Sequence, residues 1–410
     1  MENGAHIRAV GLVGAFASIG LLIGAVTPAL AQAPDPDARQ EVIEQAQSQK
    51  STSLQPYVSS KGERLMARVE DAFVYPVETW HPFLENAYRG GGFALGAGYM
   101  QHVSAFSFVD VRGSYSIRDY KRIEAEFVSP RLFHRRGELS VLGGWRDVTQ
   151  AAFYGVGLDT SSDDRANYGF ERPYASALLT VRPTRRLLML RGGLELTRWR
   201  LKSGAGSDPS VEDVFTPAQL PGVRTTTTYV HSQGTVGFDW RTAPGYARRG
   251  GFYGVTVHDY SDRDDTLGFR QVDYELIQHV PILREAWVIS LHGLAETTWP
   301  KDGQQVPFFM LSSLGGGSNL RGFSSWRFRD RHSLLMQAEW RIMANRFFET
   351  TVFYDAGKVA ASTSDLDFDG LKSDYGFGAR FHTPFSTAFR VDVARSSEGT
   401  RLVFATSPVF

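Results

Sequence analysis

The sequence contains no cysteine, which excludes disulfides, thiolate metal sites and thiol nucleophiles. It carries no net charge either, because 44 basic residues balance 44 acidic ones. Since a nucleic-acid partner normally requires a basic surface, no such partner is expected. Beyond Ala33 the chain also lacks a continuous apolar run long enough for a membrane helix. A secreted β protein and a transmembrane β-barrel both remain open.

Residues 1–31 have the layout of a signal peptide. His6 and Arg8 precede an apolar run over residues 9–26, and the small residues Ala29 and Ala31 fit a cleavage site. The alternative is a retained membrane anchor, because the run is long enough to span a bilayer. The cleavage pattern favours the signal peptide, and therefore export.

Strict alternation of apolar and ionic side chains decides between the two classes of β protein. Near the C-terminus Phe389, Val391 and Val393 share one strand face, while Arg390 and Asp392 share the other. Ionic residues at mid-strand are typical of the wet interior of a barrel, with the apolar face toward lipid. The same alternation recurs at 122–127, 190–197, 334–342 and 375–383.

The pattern predicts an all-β fold: a transmembrane, antiparallel, up-and-down β-barrel of about sixteen strands over residues 90–410, preceded by a short periplasmic segment over 32–89. The predicted strands are 91–101, 104–117, 119–129, 136–148, 150–157, 171–183, 185–201, 225–242, 249–261, 266–281, 284–298, 332–344, 347–360, 373–384, 386–396 and 400–410.

The predicted connections alternate in length, as they do in bacterial barrels with short periplasmic turns and long external loops. Long ones follow odd-numbered strands, at 158–170, 201–224, 299–331 and 361–372. Short ones follow even-numbered strands, for example at Arg118, Thr149 and Thr184. This parity places both ends of the barrel in the periplasm.

Three stretches, in order along the chain, carry a family resemblance. They are Phe153–Gly157 followed by Ser161–Tyr168, the glycine-rich loop Leu314–Phe323 and the strand Val352–Gly357. Together they resemble signatures of the Omp85 superfamily of bacterial outer-membrane barrels, the surface antigen D15 and BamA/TamA-like proteins. The resemblance covers residues 90–410. It implies a Gram-negative outer-membrane location.

The loop motif Leu320, Arg321, Gly322 and Phe323 is the first candidate site. Alternation turns Glu339 and Asp355 inward, where the guanidinium of Arg321 could form a charge-assisted hydrogen bond with either carboxylate. The resemblance implies the same contact, because the family's loop arginine engages an acidic residue on a nearby strand. The alternative is a solvated loop arginine.

No enzyme, cofactor or metal site is expected. Residues 365–370 open like a calcium-binding EF-hand loop, but Gly376 stands where a bidentate glutamate is required. No motif in the sequence points to a catalytic trio of a serine, a histidine and an orienting polar group.

The resemblance implies insertion or translocation of proteins or lipids at the outer membrane, through a seam between the first and last strands. Gly96 and Gly98 of the predicted first strand would weaken pairing there, opposite Phe404 and Phe410 of the last. Alternatively, the glycines only permit close strand approach. The second functional hypothesis is a passive pore or a structural surface antigen. Expected partners are outer-membrane lipids and client polypeptides or lipids, and the sequence predicts no oligomeric state.

The segment 32–89 is too short and irregular for a POTRA domain, which the family's protein-handling members usually carry. Leu65, Met66, Val69 and Phe73 recur at helical spacing. A luminal plug, a membrane-surface helix and a disordered leader are equally compatible with this pattern.

Overall fold

The computed structural model describes residues 80–410 apart from 185–186, 284, 346 and 383–386, together with 44–45, 47–49 and 64. The chain divides into one unit of residues 1–60 and another of residues 61–410. In the first unit, residues 44–45 and 47–49 are helical. The predicted signal peptide and the helical pattern at 65–73 lie outside the described residues. No described helix has the length and apolar character needed to cross a membrane.

Sixteen strands form one antiparallel sheet in which each strand neighbours the next one along the chain. They are β1 (Trp80–Pro82), β2 (Ala94–His102), β3 (Phe108–Ser116), β4 (Lys121–Arg131), β5 (Gly137–Phe153), β6 (Ala166–Val181), β7 (Leu188–Ser203), β8 (Thr226–Asp239), β9 (Gly250–Asp262), β10 (Phe269–Ile282), β11 (Trp287–Pro300), β14 (His332–Met343), β15 (Phe348–Ala360), β16 (Lys372–His382), β17 (Thr387–Ser396) and β18 (Gly399–Ala405). Two further strands, β12 (Ser312–Leu314) and β13 (Phe328–Asp330), form a hairpin inside the connection 301–331. Short helical turns complete the chain at Leu132–Arg135, Val211–Val214, Phe308–Met310 and Thr363–Asp365.

The sheet carries apolar side chains on its outer face and ionic side chains on its inner face, which is the reverse of a soluble protein. Leu194, Phe377 and Leu402 project from the outer face and are largely exposed, whereas Glu339 and Asp355 lie buried on the inner face. Apolar side chains exposed around the outside and ionic ones enclosed inside are the arrangement of a transmembrane barrel. The all-β, up-and-down architecture expected from the alternation is confirmed.

The strand count agrees with the prediction, but two strands were assigned wrongly. The predicted break at Thr149 is no turn, because β5 runs on to Phe153 with a register shift against β6 between Val148 and Ala151. Such a bulge interrupts alternation as a turn does. The strand Trp80–Pro82, which the prediction left in the periplasmic segment, pairs with β2 instead. Three residues are too few to show a period.

This correction moves the first three predicted connections to the opposite ends of the sheet. We call the end with connections 103–107, 132–136, 182–187, 240–249, 283–286, 344–347 and 383–386 the short-turn end. The long-loop end has connections 83–93, 117–120, 154–165, 204–225, 263–268, 301–331, 361–371 and 397–398. The turn at Arg118 was predicted among the periplasmic turns but lies at the long-loop end.

The last residues leave the sheet, contrary to the prediction of a strand over 400–410. Beyond Ala405 the Ser407 carbonyl accepts a hydrogen bond from Arg390 at 3.0 Å, and Pro408 has no N–H with which to continue a ladder. Phe410 turns away from the lipid face and stacks on the His292 ring, with centroids 4.9 Å apart. Within the described residues no ladder joins β1 to β18.

A large apolar cluster fills the interior at the long-loop end. It combines strand residues such as Phe153, Tyr168 and Phe170 with Phe308 and Phe309 from the connection 301–331. The connection therefore folds inward, and its hairpin lies within the curled sheet.

The outer face generates a first prediction. Replacing Leu194, exposed at mid-strand in β7, with arginine is expected to destabilise the folded protein in a bilayer by about 2–4 kcal/mol, because charge at the lipid midplane is poorly solvated. Urea titration of protein folded into lipid vesicles measures this change. Phe368→Arg, in the exposed connection 361–371, is the matched control and should alter stability little. Equal effects of the two variants would contradict the assignment of the lipid face.

Candidate functional site

The connection 301–331 returns on itself at a pair of glycines. Gly315 and Gly316 have φ of 110° and 113°, a region that residues with a side chain rarely adopt. A Cβ on Gly315 would lie 2.2 Å from the Ser324 carbonyl oxygen. The Asn319 side chain then accepts hydrogen bonds from the N–H groups of Gly315 and Leu320, both at 2.8 Å. These contacts fix a compact loop tip over residues 315–327.

Arg321 leaves this tip and is fully buried against two strands of the wall. Its Nε and Nη2 donate to the two carboxylate oxygens of Asp355 at 2.7 and 2.8 Å, and its Nη1 donates to Glu339 at 2.7 Å. The guanidinium also lies 3.4 Å from the centre of the Phe353 ring. The structure thus places the loop arginine against both predicted carboxylates at once, in a bidentate and a single contact.

Further ionic groups surround this contact. Arg380 donates to Glu339, and Asp392 lies 3.6 Å from Arg321. Burial alone would disfavour the charged guanidinium, but the carboxylates of Asp355 and Glu339 outweigh burial and raise the pKa of Arg321 above its ordinary value. Arg321 therefore stays charged, and the loop is held by an ion cluster shared among strands.

The other residues of the motif fit the wall closely. A Cβ on Gly322 would lie 2.6 Å from the Asp374 side chain, so only glycine allows this approach. Leu320 and Phe323 are buried in an apolar cluster with Leu314, Phe328, Leu335 and Val359. The motif thus combines one ionic anchor with apolar packing on either side.

On one side, the tip is bonded to the last two strands of the sheet. The Ser396 hydroxyl of β17 donates to the Gly322 carbonyl at 2.8 Å. Arg401 of β18 donates to the Ser324 hydroxyl at 3.1 Å. Arg327 donates to Glu398, in the turn between β17 and β18, at 2.6 Å.

On the other side, the tip is bonded to the segment that links β1 to β2. Trp326 stacks on Tyr88 with ring centroids 4.4 Å apart, and its indole N–H donates to the Arg89 carbonyl at 3.0 Å. The Arg89 guanidinium lies 4.0 Å from the centre of the same indole. The tip therefore bridges the two ends of the sheet from the inside.

The first signature stretch, at 153–157 and 161–168, also meets the connection 301–331. The Gly157 N–H donates to the Arg329 carbonyl at 2.7 Å, and Arg327 donates to the Thr160 hydroxyl at 2.7 Å. The structure thus brings together all three stretches on which the family resemblance rested.

The glycines assigned to the seam occupy a different place from the one predicted. Gly96 and Gly98 lie in β2, which is covered on its outer edge by β1, so they are not on the edge strand. A Cβ on Gly98 would lie 2.3 Å from the His81 ring, and one on Gly96 would lie 2.8 Å from the Phe83 carbonyl oxygen. They permit close approach of residues 81–83. Phe404 does project from β18, the opposite edge, whereas Phe410 does not.

Comparison with known proteins agrees with this geometry. The Omp85 superfamily domain matches residues 107–401, well over half of the chain. The chain belongs to the Omp85 superfamily. Among curated proteins, no sequence matches this Omp85 chain significantly.

Solved structures show the same Omp85 fold. BamA from Haemophilus ducreyi lacking POTRA domains 1-3 matches with a TM-score of 0.59 and 16% identity, over 85% of this chain and 78% of that one. CdiB from Escherichia coli matches with a TM-score of 0.51 and 12% identity, over 80% of this chain and 59% of that one. At these identities the similarity establishes the fold alone.

Sequence reasoning missed the residues with which this Omp85 loop reaches the seam. Trp326 and Arg327 lie three and four residues beyond Phe323, but nothing in their spacing points to Tyr88 or Glu398. The only signal in the sequence for these contacts was the bulky Trp326, four positions beyond Gly322. The described part of the chain contains no cluster of three or more potential metal ligands.

The ion cluster generates a second prediction. Arg321→Ala leaves Asp355 and Glu339 buried without their shared cation, so the free energy of unfolding should fall by about 3–5 kcal/mol. Arg321→Lys keeps the charge but not the bidentate geometry, and should recover part of this loss. The protein is folded into lipid vesicles and titrated with urea. Its heat-modifiable electrophoretic mobility then reports the unfolded fraction at each urea concentration.

Arg224→Ala is the control, since Arg224 is an exposed loop arginine paired with Glu212 at 3.5 Å. It should match the wild type. Wild-type stability of Arg321→Ala would contradict an anchoring role for the cluster.

Proposed function

We propose that this barrel inserts or translocates amphipathic clients, proteins or lipids, at the bacterial outer membrane, through the seam between β1 and β18. The observation that carries the proposal is the bridge formed by the tip of the loop 301–331, which binds both flanks of a seam that has no ladder in the described residues. A seam held by side chains from inside can be released without breaking a strand ladder.

The edge at β1 is suited to exchange with a client strand. Within the described residues β1 comprises three residues, and Pro82 among them has no N–H to donate. The ladder that these residues form with β2 is short, and an incoming strand could extend or replace it by β-augmentation. Trp80, the first residue of this edge strand, has 70% of its surface exposed.

The bridge itself stores backbone strain. Trp326 has φ of 64°, a left-handed conformation that is unfavourable for a bulky residue. Such a conformation persists only where its surroundings impose it, and here Tyr88 and Arg89 hold the indole. Withdrawal of the indole would relieve the strain, which favours a loop with two positions. The chain has no nucleotide-binding motif, so burial of the client's own apolar surface would drive the transfer.

The lumen is obstructed at both ends, which favours transfer through the seam over a passive pore. The apolar cluster occupies the long-loop end. At the short-turn end, Tyr246 of the connection 240–249 donates to Glu349 at 2.5 Å, and Arg341 donates to the Ala247 carbonyl at 2.7 Å. This connection therefore folds into the lumen beside Phe410.

A third prediction concerns client contact at the seam. Photo-crosslinking residues at Trp80 and Phe404 should trap clients in living cells, because both side chains project at the seam edges. Gly96 cannot be replaced by a crosslinking residue such as cysteine, since a Cβ at this position would lie 2.0 Å from the Gly113 carbonyl oxygen.

Tyr274 is the matched control, because it is an exposed outer aromatic on β10, in the middle of the strand order. It should trap lipid but few clients. Client adducts that are equally abundant at all three positions, or absent from both seam positions, would exclude the seam as the route.

A fourth prediction separates transfer from passive conduction. In planar bilayers the wild-type barrel should be closed most of the time, and Arg321→Ala should raise its open probability by releasing the loop. Arg224→Ala should behave as the wild type does. A steady wild-type conductance that is insensitive to Arg321 would instead favour the passive pore.

A further inference from the structure

Positive charge is concentrated at the short-turn end of the barrel. By sequence, Glu285 is the single acidic residue in the connections at this end, against many arginines. The arginines that the structure describes are Arg135, Arg136, Arg182, Arg241, Arg248 and Arg249. The long-loop end is different, because the connections 154–165, 204–225 and 361–371 contain more acidic than basic residues. The chain is therefore neutral overall, but the two ends of the barrel differ in charge.

Several of these arginines are available to an external ligand. Arg135 and Arg136 are exposed, and neither takes part in an ion pair with another described residue. Arg249 is exposed as well and meets Glu285 only at 3.4 Å. By contrast, Arg182 and Arg241 share Asp239. Arg135 and Arg136 thus face outward without an ion-pair partner among the described residues, and exposed Arg249 has a single one, Glu285.

The turn that presents Arg135 has a strained backbone. Phe133, His134 and Arg135 have φ of 50°, 58° and 68°, three successive left-handed residues without a glycine. Strained conformations of this kind are concentrated at functional sites. Here the strain displays Phe133, which is 58% exposed, beside two arginines.

Aromatic residues mark the membrane boundary just inside this ring of arginines. Trp240, Trp287 and Trp340 are exposed on the outer face near the strand ends, and the last two rings meet edge to face at 5.3 Å. Because indoles favour the headgroup level of a bilayer, the arginines beyond them lie at the level of the lipid phosphates. Phe133 and Leu283 are placed to enter the acyl region beside them.

We propose that the short-turn end binds the headgroups of anionic phospholipids in the leaflet that it faces. Guanidinium groups bind phosphate oxygens through paired hydrogen bonds, and nearby arginines add to the attraction of an anionic surface. The exposed apolar side chains among the arginines favour a lipid over an acidic protein. The binding would hold this end at a fixed depth and does not depend on client transfer.

Quenching of tryptophan fluorescence by brominated lipid tests the proposal. The full chain is reconstituted in phosphatidylcholine bilayers that contain brominated phosphatidylglycerol or, separately, brominated phosphatidylcholine. Trp299, exposed near the long-loop end, is replaced by phenylalanine in every variant, so that surface quenching reports the short-turn end. The wild-type surface should select phosphatidylglycerol. Replacing Arg135, Arg136 and Arg249 with glutamine should reduce this selectivity by about fivefold for each arginine.

The matched control replaces three exposed arginines near the long-loop end, Arg224, Arg263 and Arg270, with glutamine, and should keep the selectivity. Salt should weaken the selectivity, whereas millimolar inorganic phosphate should not abolish it. No selectivity in the wild type, or equal loss in both triple variants, would overturn the proposal. Loss of the lipid selectivity in millimolar inorganic phosphate would mean that the surface binds small anions. Binding of an acidic protein without lipid selectivity would mean that it binds a protein partner. Either result would overturn the lipid proposal.

Discussion

The buried guanidinium of Arg321 is the interaction on which the interior of this Omp85 barrel depends. Two carboxylates from neighbouring strands share it, so the buried charges of both strands are paired. Its position fixes the loop tip, and the tip in turn sets the positions of Gly322, Trp326 and Arg327. Because each of these then contacts a different part of the wall, one ion cluster organises contacts with both flanks of the seam.

The seam follows a different principle from the rest of the sheet. Elsewhere backbone ladders join neighbouring strands, whereas β1 and β18 share no ladder in the described residues and are connected through the loop. Side-chain contacts such as those of Trp326 and Arg401 can be exchanged singly, while a ladder must be broken cooperatively. Glycines 96 and 98 belong to this arrangement as well, since they let residues 81–83 lie against β2.

Alternation predicted most of the fold, because lipid outside and ions inside impose a period of two on every long strand. The same period placed Glu339 and Asp355 on the inner face, and the family resemblance implied that Arg321 engages an acidic residue on a nearby strand. The strand Trp80–Pro82 could not be predicted because three residues show no period, and the bulge after Val148 imitates a turn. Phe410 could not be placed because alternation continued past Ala405, although Pro408 and the bond from Arg390 to Ser407 end the strand. Contacts such as Trp326 with Tyr88 depend on how the sheet curls, which local sequence does not specify.

The coupling between the ion cluster and the seam is tested most directly by hydrogen exchange of backbone amides in bilayer-embedded protein, comparing the wild type with Arg321→Ala. Our account predicts that the variant exchanges faster in three places together: the loop tip 315–327, the segment 83–92 and β18. The amides of β8 and β9, remote from the tip, should keep their protection. Faster exchange confined to the loop tip, with the segment 83–92 and β18 unchanged, would contradict the claim that this cluster holds the seam.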